Sequence, residues 1–214
     1  RIVGIGEGVD YGHNGMTHYA LEDVALMRAQ PGLTLVVPGS SGQVDAVLRA
    51  VQPLPGPAYL RISKQTVDVP ALDGRFELGR AERIADGDDV ALVALGSMSE
   101  LALEAAALLA RHEVAAGVTV VSSVSPAPLE DLAATLAGVP LAVSIEAAYV
   151  TGGLGSLLAE VIAERGITCR LVRAGVREKP MGISGSRTYM HDQLGLSPER
   201  LARTALQALA LSRP

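Results

Sequence analysis

Short apolar runs alternate with longer amphipathic stretches along the first third of the chain. Apolar runs cover residues 2–5, 33–37 and 58–62, and glycine or proline follows or precedes them. Between them, apolar residues recur at helical spacing over residues 18–30 and 41–51. Short apolar runs bounded by turn residues indicate strands, and the longer spacing indicates helices. Strands that alternate with helices predict parallel βαβ units.

The same rhythm returns after residue 87, beyond a stretch rich in glycine, proline and aspartate. It predicts strands over residues 90–95, 118–121, 141–145 and 168–172. It predicts helices that are capped by Ser97 or Ser99 and run to about His112, that open at residues 128–131, and that cover residues 156–165 and 198–211. We therefore predict an α/β fold with two three-layer parallel-sheet domains. The expected boundaries are 1–75 for the first domain, 76–87 for a linker and 88–214 for the second domain.

Composition and charge exclude several classes of function for this chain. Of the 214 residues 49% are apolar, which is enough for a sizeable core, and the net charge of −5 gives no support for binding nucleic acid or a membrane surface. No apolar run approaches the roughly 20 residues of a membrane span, and no secretory signal is visible. Cys169 is the only cysteine, and we expect a buried thiol in a cytoplasmic protein. The chain opens in a strand without an initiator methionine, so we expect an upstream portion, missing here or in another polypeptide.

Functional groups are densest over residues 12–23, where two histidines, an amide, a hydroxyl and two carboxylates surround a glycine turn. His13 and His18 are five residues apart and lack a third ligand, so we predict no metal site. We expect His18 at the start of a helix, where the dipole favours a neutral imidazole. Such a ring can both donate and accept hydrogen bonds to a substrate hydroxyl or carbonyl. The alternative is that His18 only marks the helix entry.

Two cations end the strand predicted at residues 58–62. Arg61 and Lys64 flank Ser63, and ligands of doubly wound folds bind beyond the carboxyl ends of parallel strands. The pair could anchor a phosphorylated or acidic substrate, or it could be a solvated strand end. The glycine run 152–155 precedes a helix, and there we predict close packing in preference to a phosphate cradle. Gly4 and Gly6 lack the third glycine of a dinucleotide fingerprint.

Several of these segments, taken in order, resemble the transketolase superfamily. The matching stretches are 12–23 (GHNGMTHYALED), 27–34 (MRAQPGLT), Val37-Pro38, 59–64 (YLRISK), 144–146 (SIE) and 152–155 (GGLG). The superfamily consists of thiamine-diphosphate enzymes that move two-carbon ketol units or cleave 2-oxo acids. The chain is similar to the second half of their pyrimidine-binding domain followed by their C-terminal domain.

The resemblance implies roles for individual residues. His18 matches the catalytic histidine beside the reactive thiazolium carbon, and it would contact donor oxygens and assist proton transfer. Lys64, with Arg61 as the competing alignment, matches the basic residue that holds substrate phosphate. Asn14 replaces an aspartate that contacts a sugar hydroxyl in the family, and His13 is a further candidate contact.

The resemblance also implies parts that this sequence lacks. We find no Gly-Asp-Gly…Asn cassette for the metal and diphosphate, and the activating glutamate belongs upstream of residue 1. Thiamine diphosphate and Mg²⁺ would then be bound mainly by an N-terminal subunit or segment, and a homologous second copy would complete a dimer or heterotetramer.

The expected activity is transketolase-like transfer of a short ketol or acyl unit from a ketose or 2-oxo acid donor to an aldehyde. A β-type subunit of a 2-oxo acid dehydrogenase, a deoxyxylulose-phosphate synthase-like enzyme and a non-catalytic binding or regulatory module remain as alternatives.

Overall fold

The computed structural model describes residues 1–211. Its strands are β1 (Ile2–Ile5), β2 (Thr34–Val36), β3 (Ala58–Ile62), β4 (Glu82–Ala85), β5 (Val90–Leu95), β6 (Ala116–Val121), β7 (Ser123–Ser125), β8 (Leu141–Tyr149) and β9 (Arg170–Val176). Its α-helices are α1 (Asp23–Arg28), α2 (Val44–Val51), α3 (Ser99–Ala110), α4 (Leu129–Ala137), α5 (Leu154–Arg165), α6 (Arg187–Gln193) and α7 (Pro198–Ala210).

The first sheet has the strand order β1-β3-β2-β7. Strands β1, β3 and β2 run parallel, with Ile2 beside Tyr59 and Leu35 beside Tyr59 on the other side. Strand β7 comes from the second half of the chain and pairs antiparallel with β2. The two halves of the chain are therefore joined by backbone hydrogen bonds as well as by side-chain packing.

The second sheet has the order β4-β6-β5-β8-β9, and all its neighbours are parallel except β4 with β6. Alternate residues of β5 face opposite sides, as the period of two along a strand requires. Val90, Leu92 and Ala94 pack with helices α3 and α7. Ala91, Val93 and Leu95 pack with α4 and α5, in a core that extends to Leu35 and Tyr59 of the first sheet.

The prediction of an α/β fold dominated by parallel sheets is confirmed, and several local details differ, among them strand β7, which has no counterpart in the predicted elements. Strand β4 lies inside residues 76–87, the expected linker, because Glu82 to Ala85 extend the edge of the second sheet. Helix α6 has no counterpart in the predicted elements. No helix in residues 1–211 is long and apolar enough to cross a membrane.

Candidate functional site

The histidine-rich segment forms an exposed loop between β1 and α1. It contains two short 3-10 turns, Gly12–Asn14 and Met16–His18, separated by Gly15 at φ 77°. Helix α1 begins only at Asp23, because Tyr19 takes an extended conformation and Ala20 pairs with Gly8 in an isolated bridge. The expected helix start at His18 is therefore wrong. The expected effect of the helix dipole does not apply to His18.

A segment of the second half of the chain, residues 183–185, is hydrogen-bonded to this loop. The N–H of Gly185 donates to the carbonyl of Gly12 (3.1 Å), and the Tyr19 hydroxyl donates to the carbonyl of Ile183 (2.8 Å). A Cβ on Gly12 would lie 2.5 Å from the carbonyl oxygen of Gly185, so only glycine fits here. The segment before α6 thus fixes the position of the loop that carries the candidate residues.

The side chains of His13, Asn14 and His18 are exposed on this loop. Nδ1 of His18 lies 2.9 Å from the hydroxyl oxygen of Thr17. Within residues 1–211, Nε2 of His18 and the side chains of His13 and Asn14 have no hydrogen-bond partner. Three groups able to donate or accept hydrogen bonds are therefore free to meet a ligand.

The ring of Tyr11 is a common neighbour of His18 and Lys64. Its ring centroid lies 6.3 Å from that of His18, and Nζ of Lys64 lies 4.2 Å above the same ring. Gly6 allows this arrangement, because a Cβ at its φ of 92° would overlap the Tyr11 ring. The structure thus groups two residues that are 46 positions apart in sequence, and the residue between them was not singled out beforehand. Its only sequence signal is its place directly before the motif glycine Gly12.

A buried aspartate, also missed by sequence reasoning, lies behind Lys64. One oxygen of Asp10, Oδ2, accepts from the Ser63 hydroxyl (2.8 Å) and from the backbone N–H of Lys64 (2.9 Å). The other oxygen, Oδ1, lies 3.0 Å from Nε of Arg187 in α6. The backbone at Lys64 is therefore connected to the second half of the chain through one carboxylate.

Arg61, predicted as a possible substrate contact, is buried and fully engaged. Only 1% of its side chain is exposed. Its Nε donates to Asp23 (2.9 Å), Nη1 donates to Glu7 (3.1 Å), and Nη2 donates to the carbonyls of Ala20 (2.8 Å) and Ala147 (2.9 Å). Burial opposes its charge, yet Asp23 and Glu7 outweigh burial and raise the pKa of Arg61. The structure therefore places Arg61 as an internal cross-link and leaves Lys64 as the accessible cation.

Burial also shifts the pKa values of Glu7 and Tyr59, which lie beside Arg61. Desolvation raises the pKa of Glu7 to about 7, although Arg61 acts in the opposite direction, and Oε1 of Glu7 has no partner within residues 1–211. Burial and the neighbouring Asp23 raise the pKa of Tyr59 to about 12, and the Tyr59 hydroxyl donates to Asp23 (3.0 Å). We call Glu7, Asp23, Tyr59 and Arg61 the buried charge cluster.

The glycine run before α5 packs closely against the sheet, as predicted. Glu146 accepts the N–H groups of Leu154 (2.7 Å) and Gly155 (2.9 Å). A Cβ on Gly153 would overlap that carboxylate, and one on Gly155 would lie 2.7 Å from Arg173. The first amides of the helix are thus already occupied by a side chain of the protein.

Two expectations for Cys169 are wrong. It lies just before β9 and not within a strand, and its side chain is only partly buried.

The loop fits one wall of a cofactor site. Exposed, uncommitted imidazole and amide groups suit contacts to a bound ring and substrate. Within residues 1–211, no group of three or more His, Cys, Asp or Glu side chains could hold a metal ion. The exposed groups of the loop therefore suit contacts to a ring or a substrate more than the coordination of a metal ion.

Two parallel-dominated sheets define an α/β chain, and an exposed loop that carries His13 and His18 lies near Lys64 at the end of strand β3. Comparison with known proteins identifies the family. The family model described as the transketolase pyrimidine binding domain matches residues 1–70, and the model of the transketolase C-terminal domain matches residues 79–201. The chain belongs to the transketolase family.

Individual relatives are similar over nearly the whole chain. The 6-deoxy-6-sulfo-D-fructose transketolase subunit of a Clostridium species is 34% identical over 96% of this chain and 63% of its own length. An apulose-4-phosphate transketolase subunit of Phocaeicola vulgatus is 29% identical over 97% of this chain and 66% of its own. The solved structure described as a split gene transketolase, inactive beta4 tetramer, has a TM-score of 0.86 and 32% identity, and covers 99% of this chain and 67% of that one. The chain thus spans about two thirds of the length of such subunits.

Proposed function

We propose that this chain is the C-terminal section or subunit of a thiamine-diphosphate-dependent, transketolase-like transferase. The enzyme passes a short ketol or acyl unit from a ketose or 2-oxo acid donor to an aldehyde acceptor. The observation that carries the proposal is the exposed imidazole of His18, which has the Tyr11 ring as a common neighbour with Lys64. In this proposal residues 1–75 belong to the pyrimidine-binding domain and 88–214 to the C-terminal domain, and residues 76–87 connect the two and supply edge strand β4 of the second sheet.

His18 is the proposed catalytic residue. Thr17 orients Nδ1, which leaves Nε2 directed to a ligand. An imidazole there donates a hydrogen bond to a donor oxygen or accepts a proton from it. Thiamine diphosphate, when bound, supplies the nucleophilic carbon, and the protein supplies position and electrostatics. Asn14 and His13 are the proposed contacts to substrate hydroxyls, because both are exposed and uncommitted on the same loop.

Lys64 is the proposed anchor for the anionic end of the donor. Its ammonium is exposed and held over the Tyr11 ring, at the carboxyl end of β3. A flexible point charge of this kind suits a tetrahedral phosphate or sulfonate. The relatives described above are named for a phosphorylated and a sulfonated sugar, which agrees with this chemistry. Arg61 is left out of the proposed contacts because its donors are already used.

The proposed partners are an N-terminal subunit or segment, which binds Mg²⁺ and the diphosphate, and a second homologous copy. Support comes from the length of the relatives, of which this chain spans about two thirds, and from the description of one of them as an inactive beta4 tetramer. We place the enzyme in the cytoplasm, where the single Cys169 needs no disulfide partner.

The test is reconstitution with the upstream part. The assembly is titrated with thiamine diphosphate and Mg²⁺, and ketol transfer is then measured from fructose 6-phosphate to an aldose phosphate. We expect saturable cofactor binding by the assembly and turnover that depends on both components. Failure of the assembly to bind the cofactor would overturn the proposal and leave a non-catalytic module.

The reaction products separate the enzymatic alternatives. Transfer of a ketol unit without release of CO₂ supports the transketolase reaction. Decarboxylation of a 2-oxo acid with acyl transfer to a lipoyl acceptor would indicate a dehydrogenase β-type subunit. Condensation of pyruvate with glyceraldehyde 3-phosphate would indicate a deoxyxylulose-phosphate synthase-like enzyme.

A further inference from the structure

Arg187 connects helix α6 in the second half of the chain to the candidate substrate site in the first half. Its Nε lies 3.0 Å from Oδ1 of Asp10, and its Nη2 donates to the Ser97 hydroxyl at 3.3 Å. The pair is largely removed from water, with 17% of the Arg187 side chain and 1% of the Asp10 side chain exposed. A buried carboxylate that loses its cation is costly, so this ion pair constrains Asp10 strongly.

Asp10 passes that constraint on to the backbone at Lys64. Its second oxygen accepts both the Lys64 N–H (2.9 Å) and the Ser63 hydroxyl (2.8 Å). The Asp10 carboxylate therefore has three partners, which are a guanidinium, a hydroxyl and the amide of the residue that carries the accessible ammonium. Partners in such a shared network depend on one another. Removal of the Arg187 charge would free Asp10 to turn, and the start of the Lys64 side chain would move with it.

We propose that Arg187 is a positioning residue for the anionic end of the donor substrate. It acts through Asp10 on Lys64: its Nη2 is hydrogen-bonded to Ser97, and its buried Nε lies at ion-pair distance from Asp10 without a hydrogen bond of its own among residues 1–211. The inference rests on the proposed function, since Lys64 is the anchor only if the site binds an anionic donor. It assigns helix α6 a role in selecting charged donors over uncharged ones.

The first experiment compares a charged and an uncharged donor in the reconstituted enzyme. For Arg187→Gln we expect the KM for fructose 6-phosphate to rise about tenfold, the scale of one charge-assisted hydrogen bond. The kcat, the kcat/KM for fructose and the dissociation constant of thiamine diphosphate should stay within about twofold. Arg187→Lys keeps the charge and should restore most of the affinity. Arg49→Gln, an equal change of charge on an exposed pair in α2, is the matched control.

A double-mutant cycle distinguishes positioning from direct contact. If Arg187 acts through Asp10, the variant carrying both Arg187→Gln and Asp10→Asn should be no worse than Asp10→Asn alone. Additive losses would show that Arg187 contacts the substrate itself and would overturn the proposal. Equal losses with fructose and fructose 6-phosphate would also overturn it, because a general structural defect does not discriminate between them.

Hydrogen exchange gives a readout that does not depend on activity. The Lys64 amide is bonded to Asp10, so Arg187→Gln should accelerate its exchange about tenfold, while Arg49→Gln should not. Unchanged exchange would contradict the positioning role. If the wild-type assembly transfers no ketol unit, the proposed function fails, and the exchange of this amide still decides whether Arg187 controls the backbone at Lys64.

Discussion

The exposed loop of residues 12–18 and the buried charge cluster both carry polar side chains. The candidate side chains of the loop face solvent, whereas those of the cluster are bonded to one another inside the protein. On the loop, His13, Asn14 and His18 are exposed, and their side chains have at most one neighbour within hydrogen-bond distance among residues 1–211. In the cluster, Arg61 is 1% exposed and makes four hydrogen bonds. The first set can bind something else, and the second set already binds the protein.

The difference shows that partner saturation, more than residue type, separates a candidate contact from a structural cross-link. Arg61 and Lys64 are both cations near the end of β3. Side chains alternate along a strand, and Arg61 points into the junction between the two halves of the chain. There it forms ion pairs with Glu7 and Asp23. Lys64 lies past the strand, where its backbone N–H is bonded to Asp10 and its exposed ammonium has only the Tyr11 ring as a recorded neighbour among residues 1–211. Variants can test whether each region behaves as this comparison requires.

The largest expected effect concerns activity alone. His18→Ala should lower kcat/KM for ketol transfer by about 10² to 10⁴, the usual contribution of general acid–base catalysis. The free energy of unfolding should change by less than about 0.5 kcal/mol, because the side chain is exposed. His112→Ala, at an exposed position after α3, is the control. Turnover close to that of the wild-type enzyme would remove His18 from the mechanism.

Arg61→Met should do the reverse and act on stability. The change leaves Glu7 and Asp23 buried without their cation, which typically costs about 3–5 kcal/mol. Urea unfolding of the assembled enzyme measures the loss, and Arg83→Met, at an exposed pair, is the control and should cost less than about 0.5 kcal/mol. A stable Arg61→Met enzyme with a raised KM for phosphorylated donors would show that Arg61 contacts substrate after all.

Local patterns predicted the elements of the fold well and their junctions poorly. Strands β3 and β5 follow from continuous apolar runs, since their residues are buried on both faces. The sequence pattern did not predict helix α6, because its seven residues include only one buried apolar side chain, Met190. The motif led to His18, Asn14 and Lys64, but the links from Tyr11 to Lys64 and from Asp10 to Arg187 depend on long-range packing. No spacing in a single sequence contains that information.

The pH dependence of the unfolding free energy tests the buried charge cluster with a smaller expected effect than Arg61→Met. The pKa of Glu7 is about 7 in the fold against 4.5 for the free side chain, so between these values the folded protein keeps a proton that the unfolded chain has lost. Its contribution to the unfolding free energy is therefore full below about pH 4.5 and declines as the pH rises to 7.

Glu7→Gln should reduce the difference in stability between pH 5 and pH 8 by roughly 1–3 kcal/mol. Glu82 and Glu146 also have pKa values of about 7, so part of the slope should remain. Urea titrations at both pH values measure the effect, with the exposed Glu178→Gln as control. An unchanged slope would mean that Arg61 keeps Glu7 ionised throughout.

The smallest expected effect is at Tyr11, whose ring is a neighbour of both candidate residues, His18 and Lys64. The Lys64 ammonium lies 4.2 Å from the ring centroid, an interaction worth about 0.5–1 kcal/mol at an accessible site. Tyr11→Leu should therefore raise the KM for a phosphorylated donor about two- to fivefold, whereas Tyr11→Phe, which keeps the ring face, should match the wild-type enzyme. If Phe is as poor as Leu, the hydroxyl and not the ring face is what the site requires, and Lys64 is held in place by its backbone alone.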